Sequence, residues 1–266
     1  MDYRLNQHQP QLGKDVYVAP GVSFGEGVQV GARTVIQEGA ILYDHVVVGE
    51  DCVIGPRVIL GEPERAHSRN AGYDNGICRI GNRSILRAGT VVYANTELGA
   101  ECETGSYVSI RERAVIGHHC RLGTFSDIQA ECRIGNYVSL HSNVTVGSLS
   151  VIEDFAWLMP FVILLNDWYP PTCLKMEGPV IGKYAVVGAN TTVYPGVRIG
   201  EQAVVGARSV VKTSIPAFAL ASGDPATPAG DARKLVVLLD GKAVTPYPWM
   251  RHRAQRYPWE ETGWTP

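Results

Sequence analysis

Neither charge nor hydrophobic length dominates this chain. Its 24 basic residues are offset by 26 acidic ones, so it lacks the basic excess that binds nucleic acid or an anionic membrane. No apolar run approaches the ~18 residues of a membrane span. The opening MDYRLNQHQPQLGKD has none of the pattern of a secretory leader. A cytoplasmic protein is expected, with no membrane and no nucleic acid among its partners. Aromatic residues are few, at 8%, whereas glycines number 29, a balance that favours many turns.

What is present is a period. From Val18 to Leu60, again from Ile80 to Leu164, and again from Ile181 to Val211, every sixth residue is apolar, with Thr104 the one polar occupant. Two residues before each of these positions runs a second column, and no member of it is bulkier than valine. The position after each apolar residue is most often glycine. Six matches neither the 3.6 of a helix nor the 2 of a simple strand. It fits short strands with two inward side chains each, followed by turns where glycine supplies permissive dihedrals. Stacked turns would pair their backbones about 4.8 Å apart and build one continuous core. The expected fold is therefore an all-β parallel β-helix of about ten coils.

The repeat also accounts for the cysteines. Cys52, Cys78, Cys102, Cys120 and Cys132 fall in the small inward column and read as small buried hydrophobes. Cys173 lies outside the repeat and receives no role.

Two breaks interrupt the count by something other than a multiple of six, near 62–78 and 165–179. Both are expected as surface excursions, and a solenoid collects such inserts on a working face. The β-helix is expected over residues 1–215. Residues 216–266 follow as a closing segment and tail, with a hairpin around Asp240-Gly241 in KLVVLLDGKAVTP.

Units such as VVVGED, RIGNYV and VRIGEQAVVGARSVV resemble the hexapeptide repeat of left-handed β-helix acyltransferases over roughly residues 16 to 215. The resemblance implies left-handed coils and a homotrimer with active sites between subunits. A narrower likeness lies in Ile110-Arg111-Glu112, Ser126-Asp127-Ile128-Gln129, His141-Ser142-Asn143, Asn166-Asp167 with Pro170-Pro171, and the tail YPWMRHRAQRYPWE. These are most similar to enzymes that acetylate nucleotide-linked, dTDP-type 3-amino-dideoxyhexoses with acetyl-CoA. Trp168-Tyr169 depart from the smaller residues of that branch.

Such a reaction needs an unprotonated amine, a polarised thioester carbonyl and both held together. A neutral imidazole can take the proton. His141 occupies a position otherwise often glycine, so it is the candidate base. By eighteen-residue stacking it sits over Gly123 and Gly105, which is expected to leave open space beneath the ring. Asp127 and Asn143 complete the candidate catalytic set, although Asp127 lies about a corner away within one chain. Arg111 and Glu112, readable either as a surface ion pair or as ligands, join Gln129, Asn166, Asp167 and Trp168 as the candidate residues for the sugar nucleotide. The resemblance also lays the pantetheine arm along Ala189 and Ala207, and Lys183, Arg208 and Lys212 are close enough in sequence to meet the CoA phosphates. No metal is expected. An O-acetyltransferase, a zinc carbonic anhydrase using His118, His119 and His141, and a non-catalytic scaffold remain open at this point.

Overall fold

The computed structural model describes residues 5–6, 8–65, 69–70 and 72–246. The tail motif from position 247 onward lies outside them. The chain winds as a three-sided parallel β-helix. Face A carries ten strands from Gln11–Leu12 to Arg198–Ile199, and face C ten from Ser23–Phe24 to Val210–Val211. Face B carries twelve, because its ten coil strands, from Tyr17–Val18 to Val204–Val205, are extended by the strands Ala219–Gly223 and Ala226–Asp231. The first of these pairs parallel with Val204–Val205 and the second folds back antiparallel, closing that end. Beyond it, Val237–Leu239 and Lys242–Val244 form the hairpin around Asp240-Gly241.

Pairing follows the eighteen-residue step, as in Asp127↔Thr145 and Ser139↔Trp157. The coil begins one strand earlier than the repeat suggests, at Gln11–Leu12, where Leu12 is exposed and lies among polar residues. From Val30 onward every sixth-residue position of the repeat is buried, giving a column from Val30 through Leu140 to Val211. Thr104 joins it because its hydroxyl is satisfied: it lies 3.0 Å from the Thr90 hydroxyl and accepts the Arg87 N–H.

The periodic glycines have a different cause from the one expected. Gly25, Gly31, Gly49 and Gly123 do not have positive φ. A Cβ on Gly31 would lie 2.5 Å from the Gly49 carbonyl carbon, and one on Gly123 would lie 2.3 Å from that of His141. Glycine is there because the next coil's backbone comes too close for a side chain. The positive φ falls two residues later and is mostly carried by non-glycine residues such as Tyr107, Phe125, Asn143 and Phe161.

Both insertions leave face C and re-enter on face A, so they emerge at one corner. Strand Ile59–Glu62 precedes the first, and Cys78 pairs back to Val46; strand Ile163–Leu164 precedes the second, and Val180 pairs back to Val151. Glu64 fastens the first to the coils above it, accepting from Arg113 at 2.8 Å and from Asn95 at 2.7 Å.

Five of the six cysteines are buried and Cys173 is exposed. Burial pushes the thiols of Cys78 and Cys132 up to about 12, and a thiolate is the reactive form. Because the other five are buried out of reach of solvent, excess thiol reagent should label the native protein at Cys173 alone, with all six reacting after denaturation. Intact-mass spectrometry reads the count, and fast native labelling at a second cysteine would contradict the packing.

Candidate functional site

The corner that follows face B carries the candidate base. His141 stands there half-buried, its backbone N–H donating to the Leu158 carbonyl at 2.9 Å. Ser126 staples the turn from the coil below: its hydroxyl donates to the His141 carbonyl at 3.0 Å and accepts the Val144 N–H at 3.3 Å. Against the ring lies Trp157, centroids 5.6 Å apart and planes tilted by 37°. Burial lowers the imidazole's pKa below its ordinary value, because the interior disfavours the charged form. Its ring nitrogens have no hydrogen-bond partner among the described residues.

The open space expected beneath His141 is absent. The Gly123 position is filled by the close approach of the His141–Ser142 backbone itself. Trp157 was missed in the sequence, yet it was within reach: it is the outward residue paired to Ser139, two positions before His141.

Asp127 projects from face C between Ser109 and Thr145 and does not meet His141 within the chain. At the far edge of face C, Arg111 and Glu112 form a tight pair, with the guanidinium Nε 2.8 Å from the carboxylate. Arg111 also lies 4.5 Å over the Tyr93 ring. Hydrogen bonding to Glu112 raises the Arg111 pKa against the opposing effect of burial, and the charge of Asp127 adds to it. Burial pushes the Glu112 carboxyl up, but the bonds from Arg111 and from its own backbone N–H outweigh that and hold it below its usual value. Gln129, one coil above, receives the Ser148 N–H at 3.3 Å.

The second insertion rises from the same edge. Asn166 accepts the Glu177 N–H on its carbonyl at 2.8 Å, and the Asp167 carboxylate accepts the Tyr169 N–H at 2.8 Å. Trp168 packs edge-on to Tyr194 and lies under the Lys175 ammonium. Its indole N–H is buried without a partner among the described residues.

The expected donor-binding residues divide. Ala189, Ala207 and Arg208 stand on the His141 corner, in the two coils beyond Met159. Lys183 does not: it lies at the corner after face A, 3.8 Å from Asp154 and beside the rings of Phe155 and Tyr184. There it rims a shallow groove of about 390 Å³ floored by Val115, Ile134 and Ile152. Lys212 occupies the third corner, its ammonium 3.0 Å from Asp224. Three of these five residues therefore share a corner with the base. The separation of His118 and His119 from His141 is as clear. Both lie after face A, where His118 accepts the Ala100 N–H and His119 meets Glu101 at 3.1 Å, so the three histidines do not converge within the chain.

Comparison with known proteins agrees with the winding. The model of the bacterial transferase hexapeptide, six repeats long, matches residues 113–148 and 178–213. Residues 113–148 and 178–213 therefore carry the bacterial transferase hexapeptide repeat. A curated relative, the bifunctional protein GlmU of Synechococcus sp. (strain RCC307), is 21% identical over 235 residues, which are 83% of this chain and 44% of the relative. The chain thus spans less than half of that relative's length. Among solved structures, UDP-N-acetylglucosamine acyltransferase from Campylobacter jejuni is 20% identical, with a TM-score of 0.29 and coverage of 84% of this chain and 70% of that one. Perosamine N-acetyltransferase from Caulobacter crescentus, a mutant in complex with CoA and GDP-perosamine, is 19% identical with a TM-score of 0.26, covering 56% and 70%. No helix among the described residues is long and apolar enough to cross a membrane.

Proposed function

We propose that this protein transfers an acetyl group from acetyl-CoA to the amino group of a nucleotide-linked, dTDP-type amino-deoxysugar. The observation that carries the reading is His141: a half-buried imidazole whose pKa burial lowers, with ring nitrogens that have no hydrogen-bond partner among the described residues, on the same corner as the small side chains of Ala189 and Ala207.

In this reading the amine nitrogen attacks the thioester carbonyl and forms the new C–N bond. His141 accepts the proton that nitrogen sheds, and the C–S bond breaks as the tetrahedral intermediate collapses. The CoA thiolate then recovers the proton from the imidazolium. The donor lies along Ala189 and Ala207 with its phosphates toward Arg208. The Arg111–Glu112 pair serves the acceptor, the guanidinium facing pyrophosphate and the carboxylate a sugar hydroxyl. Asp127 on the intervening face steadies the ammonium before it loses its proton. Gln129, Asn166, Asp167 and Trp168 border the same edge. Asp127 and His141 could serve one acceptor across the interface of a homotrimer, each subunit lending one of them.

A CoA-thiol release assay tests this, with acetyl-CoA and dTDP- or UDP-linked amino sugars, and hydroxyl analogues as controls. Release with a dTDP-3-amino sugar supports the reading. Release with hydroxyl acceptors alone would move the assignment to O-acylation, and silence with all acceptors would overturn it.

A further inference from the structure

Two corners of this β-helix carry outward rings at the positive-φ position, and they differ by one missing rung. After face A the column His119, Tyr137, Phe155, Tyr184 is continuous, with centroids 4.4, 4.8 and 4.7 Å apart. That column is a ruler: one ring per coil fills the space from coil to coil. After face B the same position holds Tyr107, Phe125, Asn143 and Phe161, all with φ between 57° and 62°. Tyr107 and Phe125 stack at 5.4 Å, whereas Phe161 stacks on no ring of the described residues.

Phe125 and Phe161 are two coils apart, or roughly 9–10 Å at the spacing of paired strands. That is two stacking distances, the width that one intervening ring occupies. The two rings are 58% and 52% exposed, so the slot opens outward. Its floor is the Asn143 amide, which has no hydrogen-bond partner among the described residues, and His141 stands two residues away on the same turn.

We infer that this slot seats the sugar ring of the acceptor, with Phe125 and Phe161 as its walls and as the residues that select a deoxysugar. The inference rests on the acyl-transfer reading above. Reach decides the occupant. The amine must come within hydrogen-bond distance of the base, and the slot adjoins His141. A nucleobase seated here would leave the reacting carbon beyond a ribose and two phosphates. A sugar that lacks hydroxyls presents C–H groups to the rings, whereas a hydroxyl pressed against a phenyl face loses water and gains no partner. The Asn143 amide supplies one donor and one acceptor for the polar groups that remain.

Kinetics with acetyl-CoA and two acceptors test it: dTDP-3-amino-3,6-dideoxyglucose, and the counterpart that keeps its 6-hydroxyl. Phe125→Ala and Phe161→Ala should each raise the acceptor KM by about tenfold or more and shrink the preference for the deoxysugar. The KM for acetyl-CoA should stay unchanged. Asn143→Phe supplies the missing rung and should abolish acceptor turnover in a protein that melts no lower than the parent. If wild type acetylates the sugar and the phenylalanine variants keep its KM and preference, the slot is wrong and acyl transfer stands. A change of oligomeric state on size exclusion in place of a KM effect would make the rings a subunit contact and likewise overturn the slot. If wild type releases no thiol with any amino sugar, the parent reading fails and the slot with it.

Discussion

Replacing His141 by alanine should lower kcat by about 10²–10⁴-fold, the usual worth of a positioned general base, without unfolding the β-helix. The coil does not depend on the imidazole, because the turn is held by backbone bonds to Leu158 and by the Ser126 hydroxyl. The pH profile adds a second readout. Burial places the His141 pKa below the ordinary histidine value of about 6.5. The neutral ring is the working form, so activity persists above the folded-state pKa and falls as pH drops through it. The acid limb of kcat/KM should therefore lie below 6.5. Trp157→Ala would admit water to the ring, favour the imidazolium and move that limb upward. The variant should then lose activity in mildly acidic buffer where the parent keeps it. A His141→Ala enzyme with unchanged kcat would remove the residue from the chemistry and leave the proton to water or the CoA thiolate.

How much of this could be read from the sequence depends on which period carries it. Period six reports whether a side chain points in or out, and it identified the core column and the five buried cysteines. Which corner an outward residue occupies depends on period eighteen, and the insertions break that count. Val180 pairs with Val151 across 29 residues, so the coil position of Ala189 relative to His141 emerges only when the inserted loop is set aside. Lys183 and Ala189 are six residues apart, and six residues is one full face. Proximity in sequence therefore meant separation in space. The glycines misled for another reason. A glycine required by positive φ and one required by close backbone approach look alike in a sequence, and only the next coil distinguishes them. The Trp157 shield, the Tyr93 shelf under Arg111 and the clamp by Glu64 all depend on neighbours a coil or more away.

The distinction between the two kinds of glycine is itself measurable, and one of them supports the site. Gly123→Ala should cost about 2–3 kcal/mol, in the range of an overpacked interior, because the new methyl would lie 2.3 Å from the His141 carbonyl carbon and 2.4 Å from the Ser142 nitrogen. Neither is a side chain that can swing aside. Other coils accept a residue at this slot, such as Gln37 or His141 itself, so the spacing can yield locally and the protein should still fold. What yields here is the turn that carries the base. A displacement near 1 Å at a catalytic group can cost about 10²-fold in rate, so kcat should fall along with the urea midpoint. Gly39→Ala is the matched control. Its φ of +68° makes alanine unfavourable, but the nearest atom to its Cβ is a flexible Arg57 side-chain carbon at 3.4 Å. The expected cost is the left-handed penalty of about 1–2 kcal/mol, with kcat unchanged because no part of the His141 turn has to move. Equal losses of kcat in the two variants would mean that stability alone governs the rate. A loss confined to Gly123→Ala would show that the close stacking of one coil on the next sets the position of the imidazole.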